Sequence, residues 1–234
     1  MLTDIFSSFD PATSSLYNTL PSPLFWGLNL LTLMIITSSI WLTPSRLSHM
    51  ISMPKDIMYT QVSRTTGHQL KGFSSIITST FLIIITMNLT GLLPYVFSIS
   101  SHLFFTMAIA IPLWLSLIIS SIMNSKTDFL AGILPGGAPD WLNPFLVLVE
   151  TISITVRPVT LSFRLAANMS AGHIVLGLIG IYAATALFTS MSATILLLFI
   201  QIIYVAFEMG ICLIQAYIFC LLLSLYADDH TAQN

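Results

Sequence analysis

Long apolar runs separated by short polar stretches dominate this chain. Five segments are apolar over membrane length, at residues 24–43, 74–94, 103–123, 145–187 and 191–226. A bilayer helix needs about 20 apolar residues, so each of the first three segments predicts one upright span. The last two are longer, and a helix that overruns the bilayer must tilt, kink or extend past it. The pattern therefore predicts three upright transmembrane helices and a long tilted two-helix hairpin joined near Ser190.

The polar stretches predict the connections between these helices. We predict a surface lead-in over residues 1–23 and a polar connection over residues 45–72. Residues 125–144 are rich in Pro and Gly, which predicts a loop. Within the polar connection, Ser52 followed by Pro54 predicts a short capped helix that lies in the membrane interface. Inside the third span, Pro112 predicts a kink, because proline removes a backbone hydrogen bond.

Composition supports a membrane setting. The chain has 234 residues, of which 56% are hydrophobic and 7% are charged, against about 25% charged in an ordinary soluble domain. We therefore predict an all-α integral membrane protein, organised as one membrane domain over residues 1–234. A net charge of −2 argues against a nucleic-acid partner, which needs a clustered basic surface. Cys212 and Cys220 lie in an apolar run with no metal-ligand spacing, so we expect two buried free thiols.

Basic residues indicate the orientation in the membrane. Four of the seven lie in the polar connection: Arg46, Lys55, Arg64 and Lys71. By the positive-inside rule this connection stays on the side from which the chain was inserted. The N-terminus then lies across the membrane, and five crossings return the C-terminus to the basic side.

The first long helix carries polar residues that a membrane helix accommodates only at a cost. An arginine at the bilayer centre costs about 2.5 to 3.5 kcal/mol on insertion scales, so Arg164 calls for a function and a partner. At 100° per residue, Glu150 and Asn168 lie near the face of Arg164. His173, nine residues beyond Arg164, lies on the opposite side. Geometry thus separates Arg164 from His173.

In the second long helix, Gln201, Glu208 and Gln215 recur every seven residues. Such a stripe points toward protein or water. Antiparallel pairing of the two helices brings Glu208 toward His173, and brings Gln215 toward Arg164 or Asn168. A slip of one turn would change that pairing.

Small residues share the side of the helix on which Arg164 lies. Ala167 and Ala171 follow it at helical spacing, and small residues let another helix approach closely. Arg164 is therefore predicted to face a neighbouring subunit that carries the missing anion. Simpler alternatives remain for each polar residue. An internal ion pair with Glu150 or Glu208 could satisfy Arg164 or Arg157, and the other polar residues could serve helix packing: Glu150, Asn168, His173, Glu208 and Gln215.

These residues form a recognisable order. Glu150 is followed by Arg157-Pro158, then by Arg164-Leu165-x-x-Asn168-Met169-x-Ala171-Gly172-His173, then by Glu208 and Leu213-Ile214-Gln215-Ala216-Tyr217. This order resembles subunit a of the F-type ATP synthase in its mitochondrial form. Phe9-Asp10-Pro11 and Gly91-Leu92-Leu93-Pro94-Tyr95 extend the resemblance over essentially the full length.

The resemblance implies a mechanism. Subunit a is the stator against which a ring of small hairpin subunits, the c-ring, rotates, and each ring subunit carries one membrane carboxylate. Two offset half-channels reach the ring from opposite sides, and an essential arginine, matched by Arg164, blocks a direct leak between them. Such a chain is no enzyme on its own; it works with other stator subunits in the mitochondrial inner membrane. The resemblance implies neither cofactor nor metal.

Further residues match the family's proton path. Glu150 and Ser153 match the matrix-side half-channel, whereas His173 and Glu208 match the pair that lines the intermembrane-space half-channel. Asn168 and Gln215 match polar residues beside the arginine, and Asp229 matches an acid near a channel mouth in some mitochondrial members. Bacterial members exchange the acid and the histidine of the pair. Arg157 departs from the pattern, and no catalytic role is assigned to it.

Other classes of membrane protein fit less well. A membrane subunit of a redox proton pump, the main alternative, needs axial histidines on facing helices, and only His173 lies deep in a span. A self-contained antiporter would show inverted repeats or a membrane lysine, and neither is found. A purely structural subunit has no need of Arg, Glu and His in lipid.

Overall fold

The fold is described by a computed structural model over residues 9, 27, 46–93, 96–124, 126, 129, 133 and 140–231. This part of the chain is helical, and it contains no β-strand. The all-α class predicted from the apolar pattern is therefore confirmed. The predicted lead-in over 1–23 and the predicted first span over 24–43 fall outside the described residues, apart from Phe9 and Gly27.

The long helices of the described ranges are α1 (Arg46–Val62), α2 (Phe73–Gly91), α3 (Leu103–Asn124), α4 (Asn143–Thr189) and α5 (Met191–Thr231). Short 3-10 turns lie at Thr66–Gln69, Ile99–Ser101 and Asp140–Leu142. Helices α2 to α5 are each long and apolar enough to cross a membrane. The described chain is thus that of a multi-pass membrane protein.

Several helix ends differ from the apolar boundaries. Helix α4 begins at Asn143, before the expected start at 145, because Pro144 is well tolerated in the first turn of a helix. Helix α2 ends at Gly91, short of the expected 94, where the absent side chain leaves room for Met169 and Ser98. Helix α5 continues past the expected 226 to Thr231.

Helix α1 is longer than the capped helix expected at Ser52. It begins at Arg46, so Ser52 lies inside it and its hydroxyl donates to the carbonyl of His49 at 3.0 Å. Serine can bond a carbonyl of the preceding turn, and no Pro or Gly lies between Arg46 and Ser52 to stop a helix, so the expected cap was wrong. Pro54 also lies inside the helix.

The polar connection is fixed to the far end of the chain. Asp228 of α5 accepts hydrogen bonds from the Thr66 backbone N–H, at 2.7 Å, and from the Thr66 hydroxyl. Next to this contact Gly67 packs against Ala227, where an added Cβ would lie 2.9 Å from the Ala227 Cβ. The end of α5 therefore lies beside the basic connection.

One buried apolar cluster draws residues from every helix named above. Its members are Met58, Val62, Phe73, Ile77, Phe81, Ile84, Ala110, Leu117, Leu161, Leu165, Ala216, Phe219, Cys220, Leu223 and Ala227. Lipid tails are as apolar as these side chains, so close packing rather than removal from water holds such a cluster together. Cys212 and Cys220 are both buried free thiols, as expected.

Helices α4 and α5 form an antiparallel pair joined at Ser190. Helix α4 has 47 residues, which at 1.5 Å per residue span about 70 Å, more than twice the bilayer's apolar thickness of about 30 Å. Pro158 lies inside this continuous helix. The length requires α4 to tilt or to extend beyond the bilayer, and its tilt stays a prediction.

Hydroxyl side chains are accommodated in these helices by their own backbone. Thr86 donates to the carbonyls of Leu82 and Ile83 at 2.9 Å, and Thr90 donates to that of Thr86 at 2.8 Å. In a membrane a polar group needs a partner within the protein, and a carbonyl one turn earlier supplies it.

Candidate functional site

Arg164 lies on an exposed face of α4. Ala167 and Ala171, on the same side, are exposed as well. None of the described residues forms an ion pair with Arg164. The ion pair within the described part of the chain joins Arg157 to Glu150. The side chain and the small residues beside it form a surface open to another subunit, and that surface is here called the arginine face.

Behind the arginine face, α4 and α5 are joined by an amide pair. Asn168 Nδ2 donates to Gln215 Oε1 at 3.0 Å, and Gln215 is buried at 6% exposure. Of the two partners expected for Gln215, the structure selects Asn168 rather than Arg164. One turn before Gln215 on α5, the Cys212 Sγ lies 3.5 Å from the Met169 Sδ. These contacts define the register of the hairpin.

On the inner side of α4, His173 and Glu208 come together as the antiparallel pairing predicts. Glu208 is 4% exposed, and its carboxylate lies against Gly172, where an added Cβ would be 2.7 Å from the Glu208 Cδ. His173 is close enough to Glu208 for an electrostatic interaction, and it also interacts with the Gly91 backbone. The missing side chain at Gly172 thus makes room for the carboxylate beside the imidazole.

The second nitrogen of His173 has a different environment. Its Nε2 atom is buried and has no hydrogen-bond partner among the described residues. The ring of Phe9 packs edge-on against the imidazole, with centroids 6.3 Å apart. Because buried polar atoms are normally paired with protein or with water, this nitrogen is suited to a transient partner such as a water molecule.

Tyr204 adds a hydroxyl to this pair. It lies one turn before Glu208 on α5, and its hydroxyl interacts with the carboxylate. Tyr204 was not among the residues predicted for the site. A four-residue spacing between a tyrosine and an acid on one helix is the signal that predicts this contact.

At the other end of the site, Glu150 is paired within α4. Its Oε1 atom lies 3.4 Å from Arg157 Nη2, and both side chains are about one-third exposed. The Arg157 guanidinium also lies over the ring of Tyr226 of α5, with its Cζ 5.0 Å from the ring centroid. Ser153 is half-buried one turn after Glu150, and the side chain of Asp229 is outside the described residues.

Asn88 is a buried polar residue that the sequence reasoning did not single out. It is 1% exposed on α2, and its Oδ1 atom has no partner among the described residues. With Ser100 and Thr106 it lines a cavity of about 10 Å³ that reaches Leu165 of α4. An amide in an apolar run was the signal that could have identified it, because membranes rarely tolerate one without a role.

The described residues contain no group of three or more His, Cys, Asp or Glu side chains that could hold a metal ion. Of the five histidines in the chain, His173 lies deep within a membrane-length helix, whereas His230 lies in the last turn of α5, beyond the candidate span that ends at Asp228. The geometry therefore offers three features along α4: His173 beside Glu208 of α5, the exposed guanidinium of Arg164, and Glu150 paired with Arg157.

Comparison with known proteins identifies the family of this chain. A family model described as the ATP synthase A chain matches residues 23–228. ATP synthase subunit a of Artemia franciscana is 38% identical over 229 residues, which cover 98% of this chain and 100% of the relative. The corresponding proteins of Locusta migratoria and Albinaria caerulea are 35% and 39% identical, each over 98% of this chain and at least 99% of their own length. This chain therefore belongs to the ATP synthase A chain family.

Proposed function

We propose that this chain is the stator of the ATP synthase membrane sector that conducts protons to and from a rotating c-ring. Its family gives it a proton-translocating role within the ATP synthase complex. The family and the membrane-length helices make it a multi-pass protein of the mitochondrial inner membrane. On this proposal ATP formation belongs to the whole complex, and this chain is not an enzyme on its own.

The observation that carries the proposal is the exposure of Arg164 on a small-residue surface, without an ion-pair partner among the described residues. A ring subunit with a membrane carboxylate supplies the missing anion. Arginine suits this place because its guanidinium stays charged when partly desolvated, whereas a lysine can lose its proton. A fixed positive charge there attracts the deprotonated ring carboxylate and repels protons that would otherwise leak past it.

The outer half-channel ends at His173 and Glu208. Their proximity supports this role, because an imidazole titrates near physiological pH and a coupled acid can exchange protons with it. Tyr204 interacts with Glu208 and extends the polar path along α5. The unpartnered His173 Nε2 then forms a hydrogen bond with water in the half-channel, as donor or as acceptor.

In the same proposal, the matrix-side half-channel contains Glu150 and Ser153, and Asp229 lies near a channel mouth. Glu150 and His173 lie on opposite sides of Arg164 along α4, at about 21 Å and 13 Å from it by helical rise. A proton from one side therefore reaches the other only on a ring carboxylate that turns past Arg164. The membrane potential contributes about 2.3 kcal/mol per proton and 100 mV, so several protons must be pooled for each ATP.

The test is the substitution Arg164→Ala in the assembled ATP synthase, reconstituted into vesicles. We expect proton-driven ATP synthesis to be lost, by at least about a hundredfold, because the charge that attracts the ring carboxylate acts only in the working complex. The amount of assembled complex should stay close to normal, since Arg164 makes no internal ion pair within the described chain.

A matched control removes an arginine outside the membrane helices. Arg64 is exposed in the polar connection, and Arg64→Ala should leave synthesis near normal. Near-normal synthesis in the Arg164→Ala complex would sink the proposal. Equal losses in both variants would point to a general effect of lost charge.

A further inference from the structure

The matrix side of α4 contains an arginine to which the proposed path gives no role. Arg157 is bound on two sides, by the Glu150 carboxylate at 3.4 Å and by the Tyr226 ring at 5.0 Å. We propose that Arg157 is a positioning residue, which holds the Glu150 carboxylate in place for proton transfer. This inference rests on the proposed role of Glu150 in the matrix-side half-channel.

The two contacts come from different parts of the chain. Glu150 lies two helical turns before Arg157 on α4, whereas Tyr226 is near the end of α5. A carboxylate about one-third exposed on a flexible side chain can adopt many rotamers in a wet path. A guanidinium that is itself held by a ring on another helix restricts that carboxylate to few of them.

Tyr226 is in turn held in place by its surroundings. Two residues beyond it, Asp228 accepts two hydrogen bonds from Thr66 of the polar connection. The intervening Ala227 is fully buried and packs on Gly67. The end of α5 therefore has little freedom to slide. This fixes the position of the Tyr226 ring along α4, next to Arg157.

The chemistry of arginine fits both contacts at once. A planar guanidinium can bond a carboxylate through one edge while its face stacks on an aromatic ring. A lysine ammonium is a point charge without such a face, so it can replace the ion pair but only part of the stacking. This difference distinguishes a positioning role from a requirement for any positive charge.

The experiment is a double-mutant cycle in the assembled ATP synthase in vesicles, with rates expressed per assembled complex. Arg157→Gln should lower proton-driven synthesis by about two- to fivefold, the scale of a partly exposed ion pair. Arg157→Lys should give a rate between that of the native complex and that of Arg157→Gln, whereas a full native rate would indicate that any positive charge suffices. In a Glu150→Gln background, which is itself slow, Arg157→Gln should cause no further loss, because a positioning residue acts only through its partner.

Each other result has a definite meaning. An equal proportional loss from Arg157→Gln with and without Glu150 would show a merely structural role and overturn the inference. Full activity of Arg157→Gln, or of Glu150→Gln, would overturn it as well. None of these results touches the proposed stator function, which stands or falls with Arg164→Ala. Arg64→Gln is the matched control for loss of one arginine charge, and it should leave the rate unchanged.

Discussion

A single missing side chain creates the acid and imidazole pair. The Glu208 carboxylate occupies the space beside Gly172, where a Cβ would approach its carboxyl oxygens to 2.7 and 2.9 Å. Real Cβ atoms essentially never make such contacts, so any other residue there would displace the carboxylate. The displaced group is the end of a flexible side chain, which can move without disturbing the helices.

Gly172→Ala is therefore expected to spare the fold and damage the function. Proton-driven ATP synthesis should fall by about tenfold or more, because small displacements of a reacting group are costly. Assembly, measured as the amount of intact complex on native gels, should be unchanged. Gly177→Ala and Gly180→Ala are matched controls on the same helix, since nothing lies within 4 Å of an added Cβ at either position. Equal loss in all three variants would contradict this explanation.

The identity of the two titratable groups should matter less than their proximity. We expect the exchanged variant, with His173→Glu and Glu208→His together, to keep more proton flux than His173→Ala or Glu208→Ala. Either order leaves a coupled acid and imidazole next to Gly172. The measurement is proton flux into vesicles, followed with a pH-sensitive dye. An equal loss of proton flux in all three variants would count against a paired site.

Residue positions within one helix followed from sequence, whereas their partners did not. Helical spacing predicted that Arg164 and His173 point in opposite directions, and Arg164 is exposed whereas His173 is half-buried. Arg157 left two carboxylates open as partners, and the structure selects Glu150. Tyr226 was not considered at all, because it lies 69 residues beyond Arg157 and meets it only across the hairpin.

At the level of elements, the register between α4 and α5 decides which polar side chains of the two helices meet. The amide bond between Asn168 and Gln215 and the contact between Met169 and Cys212 hold it in place. Sequence left this register open, because a slip of one turn keeps the apolar faces of both helices in contact. The polar side chains favour one register over its neighbours, because a slip of one turn would leave buried amide groups without hydrogen-bond partners.

The register can be tested by crosslinking within the chain. Met169→Cys should place a thiol close to the native Cys212, whose sulfur lies 3.5 Å from the Met169 sulfur. A thiol reagent with a short spacer should then join the two positions, and mass spectrometry of the linked peptides would detect the product. Ala171→Cys is the control, because its side chain is exposed and should not reach Cys212. The reverse pattern would place the helices in another register.

For the whole molecule, the open arginine face leads us to expect that another subunit completes the proposed proton path. The arginine face is open, whereas His173 is half-buried beside Glu208 of α5 and the Gly91 backbone at the end of α2. Small residues next to a charged side chain within a membrane helix are typical of a surface that another helix contacts closely. The arginine face is therefore the surface at which we expect the c-ring.

Crosslinking between subunits tests that expectation. Ala167→Cys and Ala171→Cys should each form crosslinks to a cysteine introduced next to the ring carboxylate in the intact complex. Ile119→Cys on α3 provides the comparison, since Ile119 is 50% exposed but belongs to a different helix from the arginine face. Crosslinks to the ring from Ile119 and none from the two alanine positions would contradict the proposed docking surface.

Sequence alone predicted the membrane setting, the helical class, the membrane-length helices of the described ranges, and the directions in which Arg164 and His173 point around α4. These properties depend on composition and on a period of 3.6 residues, which are local. Only the tertiary structure decided that Gln215 pairs with Asn168 and that Glu208 fits beside Gly172. Such choices depend on which turn of one helix lies opposite which turn of another. Helical periodicity does not contain that information, because neighbouring registers present nearly identical apolar faces.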